Sequence, residues 1–146
     1  MFTPLRELLR AYLHYCPVTD GKGLLYRTLA PRLLPAHHPV NAVIPPGFTL
    51  RLDLNSATER ELYFYRIYER HETRLLTRLL QPGDAVWDIG ANLGYFTLLA
   101  ATLTGQAGRV VAFEPFPPAW SRLQDNLALN DIPQVRTERI AVSDRA

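Results

Sequence analysis

Cysteine is nearly absent from this chain. Cys16 stands alone among 146 residues, which excludes an intramolecular disulfide and a cysteine metal cage and suits a reducing compartment. Long apolar runs are missing too. No stretch reaches the roughly eighteen apolar residues of a membrane span, and the N-terminus lacks the basic, apolar, small-residue order of a secretory signal. Charge of one sign is also scarce. Sixteen Lys and Arg against fourteen Asp and Glu leave +2, and the basic residues read as scattered rather than striped, so nucleic acid is not an expected partner. A cytoplasmic protein that touches neither membrane nor nucleic acid is the expectation. Metal signals fail as well. His71-Glu72 is followed by Leu75 where a zinc-protease helix needs its second His. His37-His38 lies in a proline-rich loop without Cys or carboxylate partners, and no metal is expected. Gly21-Lys22-Gly23 is not a phosphate loop, because Cys16 stands where the first glycine belongs.

What is present is a normal globular content, 47% hydrophobic, in a length that suits one domain. Thr3-Pro4 starts a predicted helix with Leu5, Leu8, Leu9, Tyr12 and Leu13 at helical spacing. A second helix is expected over Gly23 to Ala30. Pro35 to Gly47 holds four prolines and reads as a linker or surface loop. Phe48 to Leu54 alternates as a half-buried strand does. Ser56 to about Leu80 reads as one or two helices, with Tyr63, Ile67, Leu75, Leu79 and Leu80 available for an inner face. From Gln81 the pattern turns α/β. Strands are expected at Ala85–Ile89, Arg109–Glu114 and roughly Val135–Val142, and helices over about 94–103 and 117–129, the second capped by Asn130. Trp87 and Trp120 are read as packing residues. Such alternation argues for a parallel sheet with right-handed crossovers. Residues 1–46 form a helical, proline-rich extension and residues 47–146 an incomplete α/β domain.

The chemistry lies where the first two of those strands end. Val86-Trp87-Asp88-Ile89-Gly90-Ala91-Asn92-Leu93-Gly94-Tyr95 runs from an apolar strand through an acid and two glycines into a helix. Val110-Val111-Ala112-Phe113-Glu114-Pro115 ends a second strand in another acid. A β-loop-α-β unit of this form binds a nucleoside-containing cofactor at the carboxyl ends of its strands. The turn's free amides and the helix N-terminus offer donors and partial positive charge. The dinucleotide fingerprint requires three glycines, but Asn92 and Tyr95 occupy its second and third positions. Asp88 would repel a pyrophosphate and attract a cation. S-adenosylmethionine carries an ammonium and a sulfonium and no phosphate, so it fits the acid better than NAD does. Glu114 sits where an acid accepts ribose hydroxyls, a role common to both cofactors.

Asp88-Ile89-Gly90-Ala91-Asn92-Leu93-Gly94-Tyr95-Phe96-Thr97 with Ala112-Phe113-Glu114-Pro115 resembles the FkbM family of S-adenosylmethionine-dependent methyltransferases. Leu62-Tyr63-Phe64, Tyr68-Glu69 and Leu79 to Asp84 resemble its lead-in; Asn126 to Asn130 and Ala141 to Asp144 resemble its continuation. The resemblance spans about residues 47 to 146. It implies a class I methyltransferase (Rossmann-like) fold represented by its first three strands. It places Asp88, Gly90, Ala91, Asn92 and Gly94 around the methionine part, with Tyr95 opening the helix behind it. Glu114 would hold the ribose, Pro115 and Phe116 the adenine side, and Ala141 to Ser143 the neighbourhood of the ring. Tyr68 and Glu69 would reach the cofactor from the lead-in or mark a surface helix end.

Methyl transfer from a sulfonium is an in-line displacement in which alignment matters most, and a hydroxyl acceptor also needs a base. No residue identifies that base. The resemblance implies O-methylation of a small molecule or sugar. In a 3-2-1-4-5-6 sheet the first strand is central, so a chain ending after the third leaves it one bare edge, open to self-association. The acceptor half is then lacking, as in a truncated methyltransferase. An NAD-dependent oxidoreductase fragment and a non-catalytic nucleotide-binding module are the alternatives.

Overall fold

The structure, a computed structural model, describes residues 3–18 and 20–144. They form two compact units, one drawn from Met1–Ala42 and Arg51–Tyr68, the other from Val43–Leu50 and Glu69–Ala146.

The first unit holds α1 (Thr3–Tyr15), α2 (Lys22–Leu29), a 3-10 turn over Ala30–Arg32 and α3 (Ala57–Tyr65). Only part of the expected face of α1 is internal: Leu9 and Leu13 are buried, whereas Leu5, Leu8 and Tyr12 remain exposed. Between the buried leucines Arg10 is internal as well. Its Nε donates to the Tyr63 carbonyl at 2.9 Å and its guanidinium lies 4.2 Å from the Tyr63 ring centre, so hydrogen bonding and cation–π attraction offset its desolvation. Lys22 Nζ donates to the carbonyls of Leu13 and Cys16 at the end of α1, a cation at the negative end of a helix.

The proline-rich stretch is more ordered than a loop. Val40–Ile44 is strand β1, paired with β2 (Phe48–Leu52). Its alternation, with Ala42 and Ile44 buried, is masked in the sequence by the prolines on both sides. Gly47 closes the turn through its amide on the Ile44 carbonyl at 2.9 Å.

The second unit continues with α4 (Arg70–Leu79), β3 (Ala85–Ile89), α5 (Tyr95–Thr104), β4 (Arg109–Phe113), α6 (Pro117–Ala128) and β5 (Val135–Glu138). The three strands form a parallel sheet in the order β3-β4-β5. One face is covered by both helices. Ala100 and Ala101 of α5 pack with Val110 and Val86, while Leu123 of α6 packs with Ala112 and Ala91, flanked by Trp120 and Leu127. Two right-handed crossovers taken in the same direction place both helices on one side.

The other face of the sheet and the outer side of α4 show three departures from expectation. Among the described residues β3 has β4 as its only sheet neighbour. Trp87 points to the uncovered face and is 71% exposed, with its ring edge-on to Phe113 at 5.9 Å. It is therefore not a core residue. Leu75 and Leu79 of α4 are also exposed; the inner side of α4 is marked by buried Thr73, and Leu80 packs beyond its end. The basic residues are not wholly scattered either, since Arg70, Arg74 and Arg78 recur every fourth residue along one side of α4.

Two asparagines tie α6 to its surroundings. Asn126, buried, donates from Nδ2 to the Leu93 carbonyl at 2.7 Å. Asn130 follows the C-cap residue Leu129 and closes the end of α6, its amide donating to the Leu127 carbonyl at 3.0 Å. Its Oδ1 accepts from the Thr49 amide at 2.8 Å, and its Nδ2 donates to the Thr49 and Asn126 carbonyls at 2.9 and 2.7 Å. One amide side chain so reads both polar groups of a β2 residue.

Candidate cofactor site

The glycine turn joins the end of β3 to the start of α5, and its backbone is held in the left-handed region at three points: Gly90 (φ 84°), Asn92 (φ 50°) and Gly94 (φ 95°). The Phe113 carbonyl, at the end of β4, accepts from the amides of Gly90 and Ala91 at 2.9 and 3.0 Å. The Ala91 carbonyl accepts from Gly94 at 2.8 Å. Glu114 completes the closure. Its carboxylate is 6% exposed; Oε2 accepts from the Asn92 amide at 2.8 Å and Oε1 from the Phe116 amide at 2.9 Å. One side chain thereby fastens the β3–α5 turn to the β4–α6 turn.

These bonds alter one sequence-based expectation. The amides of Gly90, Ala91, Asn92 and Gly94 are already committed within the protein, so the turn is not a cradle of free donors. The N-terminus of α5 is answered internally too. The Thr97 hydroxyl donates to Asp88 Oδ2 at 2.5 Å, and the Thr97 amide bonds the same carboxyl. A carboxylate at a helix N-terminus is a favourable pairing, and it removes the potential that a pyrophosphate would use.

Asp88 and Glu114 make the site acidic. Burial pushes the Asp88 carboxyl above the usual carboxylate range; the Thr97 hydroxyl and amide oppose that shift, and the nearby Glu114 charge adds to it. Among the described residues neither acid forms an ion pair with Lys, Arg or His. The arrangement is chemically suited to a cation placed between strand ends. The sign of the linkage follows from the raised value. Between the ordinary carboxylate range and the folded value, the native state holds the extra proton. The contribution of Asp88 to stability therefore falls as pH rises through that window, and the full penalty stands above it. Asp88→Asn, which keeps an acceptor for Thr97, is expected to leave stability at neutral pH equal or higher and to flatten the acid dependence. Urea unfolding at a series of pH values checks this; a clear loss at neutral pH would contradict it.

The remaining predicted site residues are distributed unevenly. Tyr95 is buried by packing: its hydroxyl lies 3.2 Å from Thr73 Oγ1 and its ring sits edge-on to Phe48 and Phe96. Pro115 and Phe116 are exposed beyond β4, Phe116 with its amide on Glu114. Strand β5 ends at Glu138, short of the expected Val142, so Ala141 and Ser143 lie in exposed chain past the sheet. Tyr68 belongs to the first unit, and Glu69 precedes α4 with φ 40°. Thr97 and Asn126 received no role from the sequence. The pairing of Thr97 with Asp88 follows from where α5 begins and leaves no local spacing in the sequence to read. Among the described residues no cluster of His, Cys, Asp and Glu suits a metal ion, and no helix is long and apolar enough to cross a membrane.

No family model matches the chain. Among curated proteins it is similar to the 31-O-demethyl-FK506 methyltransferase FkbM of Streptomyces tacrolimicus, 39% identical over 87 residues, covering 60% of this chain and 31% of that protein. It is also similar to the hexuronic acid methyltransferase AglP of Haloferax volcanii, 31% identical over 84 residues, covering 55% of this chain and 32% of the other. The match thus spans about a third of the length of either relative. Among solved structures, Pyrococcus horikoshii TYW2 in complex with MeSAdo aligns at a TM-score of 0.52 with 18% identity, over 71% of this chain and 37% of that one; at that identity the likeness concerns the fold. The chain is similar in sequence to the FkbM methyltransferase, and its parallel β3-β4-β5 sheet with α5 and α6 has the Rossmann-like α/β arrangement that it shares with that solved structure.

Proposed function

We propose that this chain binds S-adenosylmethionine at the ends of β3 and β4 and serves methyl transfer to an oxygen of a small molecule or sugar. The observation that carries the reading is the acidic pair Asp88 and Glu114 beside a turn whose Gly90, Ala91, Asn92 and Gly94 amides are already satisfied. A pyrophosphate would meet two carboxylates and no free cradle; a cationic amino-acid end would meet complementary charge. Asp88 holds the ammonium, with Gly90, Ala91, Asn92 and Gly94 shaping the turn around the methionine part. Glu114 keeps lone pairs for the ribose while bonded to two amides, since a carboxylate offers about four acceptor sites. Pro115, Phe116, Ala141 and Ser143 belong to the adenine side, and Glu69 to its approach.

The cofactor supplies a methyl group activated by the sulfonium charge. The chain's own residues bind and orient it, which is the larger part of catalysis in a displacement of this kind. Both curated relatives are named for acceptors with oxygen functions, which supports O-methylation. Self-association through the free edge of β3, beside exposed Trp87 and Ile89, is part of the same reading, and a strictly monomeric chain in sedimentation velocity would exclude it. Titration calorimetry with S-adenosylhomocysteine and with NAD tests the cofactor assignment. Binding of the first and none of the second is expected; binding of NAD alone, or of neither, would overturn it.

A further inference from the structure

We propose that Thr97 is the positioning residue of this site: its hydroxyl fixes the Asp88 carboxylate so that the remaining oxygen is presented to the ammonium of the methyl donor. The inference rests on the donor reading above and adds a residue to which that reading assigns nothing.

Three observations carry it. Thr97 is fully buried in the first turn of α5, so its hydroxyl has no water to turn to and is directed inward. That hydroxyl donates to Asp88 Oδ2 at 2.5 Å, a short distance of the kind found when the acceptor carries charge. The opposing group is Glu114, the charged neighbour that acts on Asp88. A half-buried carboxylate facing another acid favours taking up a proton, and a protonated Asp88 has no charge to offer an ammonium. The Thr97 hydroxyl and amide work against protonation and also fix the side chain's rotation. Orientation and charge thus depend on one γ-oxygen.

The consequence is selective for part of the ligand. S-adenosylhomocysteine carries the ammonium, whereas 5′-methylthioadenosine keeps the nucleoside and thioether but lacks the amino-acid end. Thr97→Val removes the hydroxyl with little change in shape. It is expected to weaken S-adenosylhomocysteine roughly tenfold, to leave 5′-methylthioadenosine within about twofold, and to move the acid limb of S-adenosylhomocysteine binding to higher pH. Thr97→Ser restores the wild-type profile. Thr97→Cys, a weaker donor of similar size, gives an intermediate affinity and replaces the valine variant should that one not fold. Titration calorimetry on the whole chain from acid to neutral pH reads all three. Equal weakening of both ligands would reduce Thr97 to a structural role, and an unchanged S-adenosylhomocysteine affinity with an unchanged acid limb would overturn the proposal outright. A wild-type chain that binds neither ligand would instead strike at the donor reading itself.

Discussion

Glu114→Gln is expected to weaken S-adenosylhomocysteine by about two orders of magnitude and to lower stability by about 2 kcal/mol, although it replaces one oxygen with a nitrogen. Both carboxylate oxygens of Glu114 accept from backbone amides, Oε2 from Asn92 and Oε1 from Phe116. Glutamine has one acceptor oxygen and one donor nitrogen. Whichever way its amide is turned, a donor faces a donor, and one of the two turns is released. The loss also includes the charge, because bonds to an ionised acceptor are worth roughly twice neutral ones. Asn92 then loses the partner that holds its left-handed backbone, so the ligand meets a turn that must be reordered on binding. Glu114→Ala is expected to weaken S-adenosylhomocysteine at least as much, since it leaves both amides without their acceptor and keeps no oxygen for the ribose. Chemical unfolding and titration calorimetry on the two variants check this. A glutamine variant with wild-type stability and affinity would show that the side chain does not couple the turns.

The sequence of the sheet unit is legible because each local rule points the same way. Val86 to Ile89 and Val110 to Phe113 are short apolar runs beside an acid and a turn; they fold as β3 with the expected boundaries and as β4, which ends at Phe113, one residue short of the expected Glu114. Among the described residues β3 has β4 as its one sheet neighbour, as the order β3-β4-β5 requires. What failed was burial. Trp87 looks internal in any apolar strand, yet exposure depends on which face the crossovers cover, and α5 and α6 cover only one. Strand β1 was hidden for a different reason: Pro39, Pro45 and Pro46 outweigh five alternating residues when the stretch is read by composition.

The site shows the same division. Asp88 and Glu114 stand out in the sequence by type and position, as acids at strand ends beside a glycine turn. Their partners do not. The pairing of Thr97 with Asp88 requires knowing that α5 begins at Tyr95 and turns its third residue toward the end of β3. The tie from Asn126 to Leu93 spans two elements and leaves no local spacing to read. Tyr95 illustrates the converse. The resemblance places it at the head of the helix behind the methionine part, and what fills that position is packing: its ring reaches Phe48 and its hydroxyl lies 3.2 Å from Thr73 Oγ1.

Gly94→Ala is expected to be the most destabilising single-methyl addition in the turn, by about 2 to 5 kcal/mol. Two independent terms contribute. At φ 95° an L-residue is strained by roughly 1–2 kcal/mol. In addition, a Cβ at Gly94 would stand 2.7 Å from Leu123 Cδ1, and Leu123 is fully buried in a cluster with Ala91 and Ala112; such overpacking costs about 1–3 kcal/mol. Gly90 separates the two terms. It has φ 84°, but nothing lies within 4 Å of its would-be Cβ, so Gly90→Ala is expected to carry the conformational term alone. The difference between the two variants in urea unfolding then measures the contact with α6. Pairing Gly94→Ala with Leu123→Ala tests the same contact from the other side. Leucine truncation in a packed core costs about 2–5 kcal/mol by itself, yet the double variant is expected to lose less than the sum, because the new methyl enters the space that Leu123 vacates. Strict additivity would mean that Leu123 moves aside freely and that Gly94 is required for its backbone angle only.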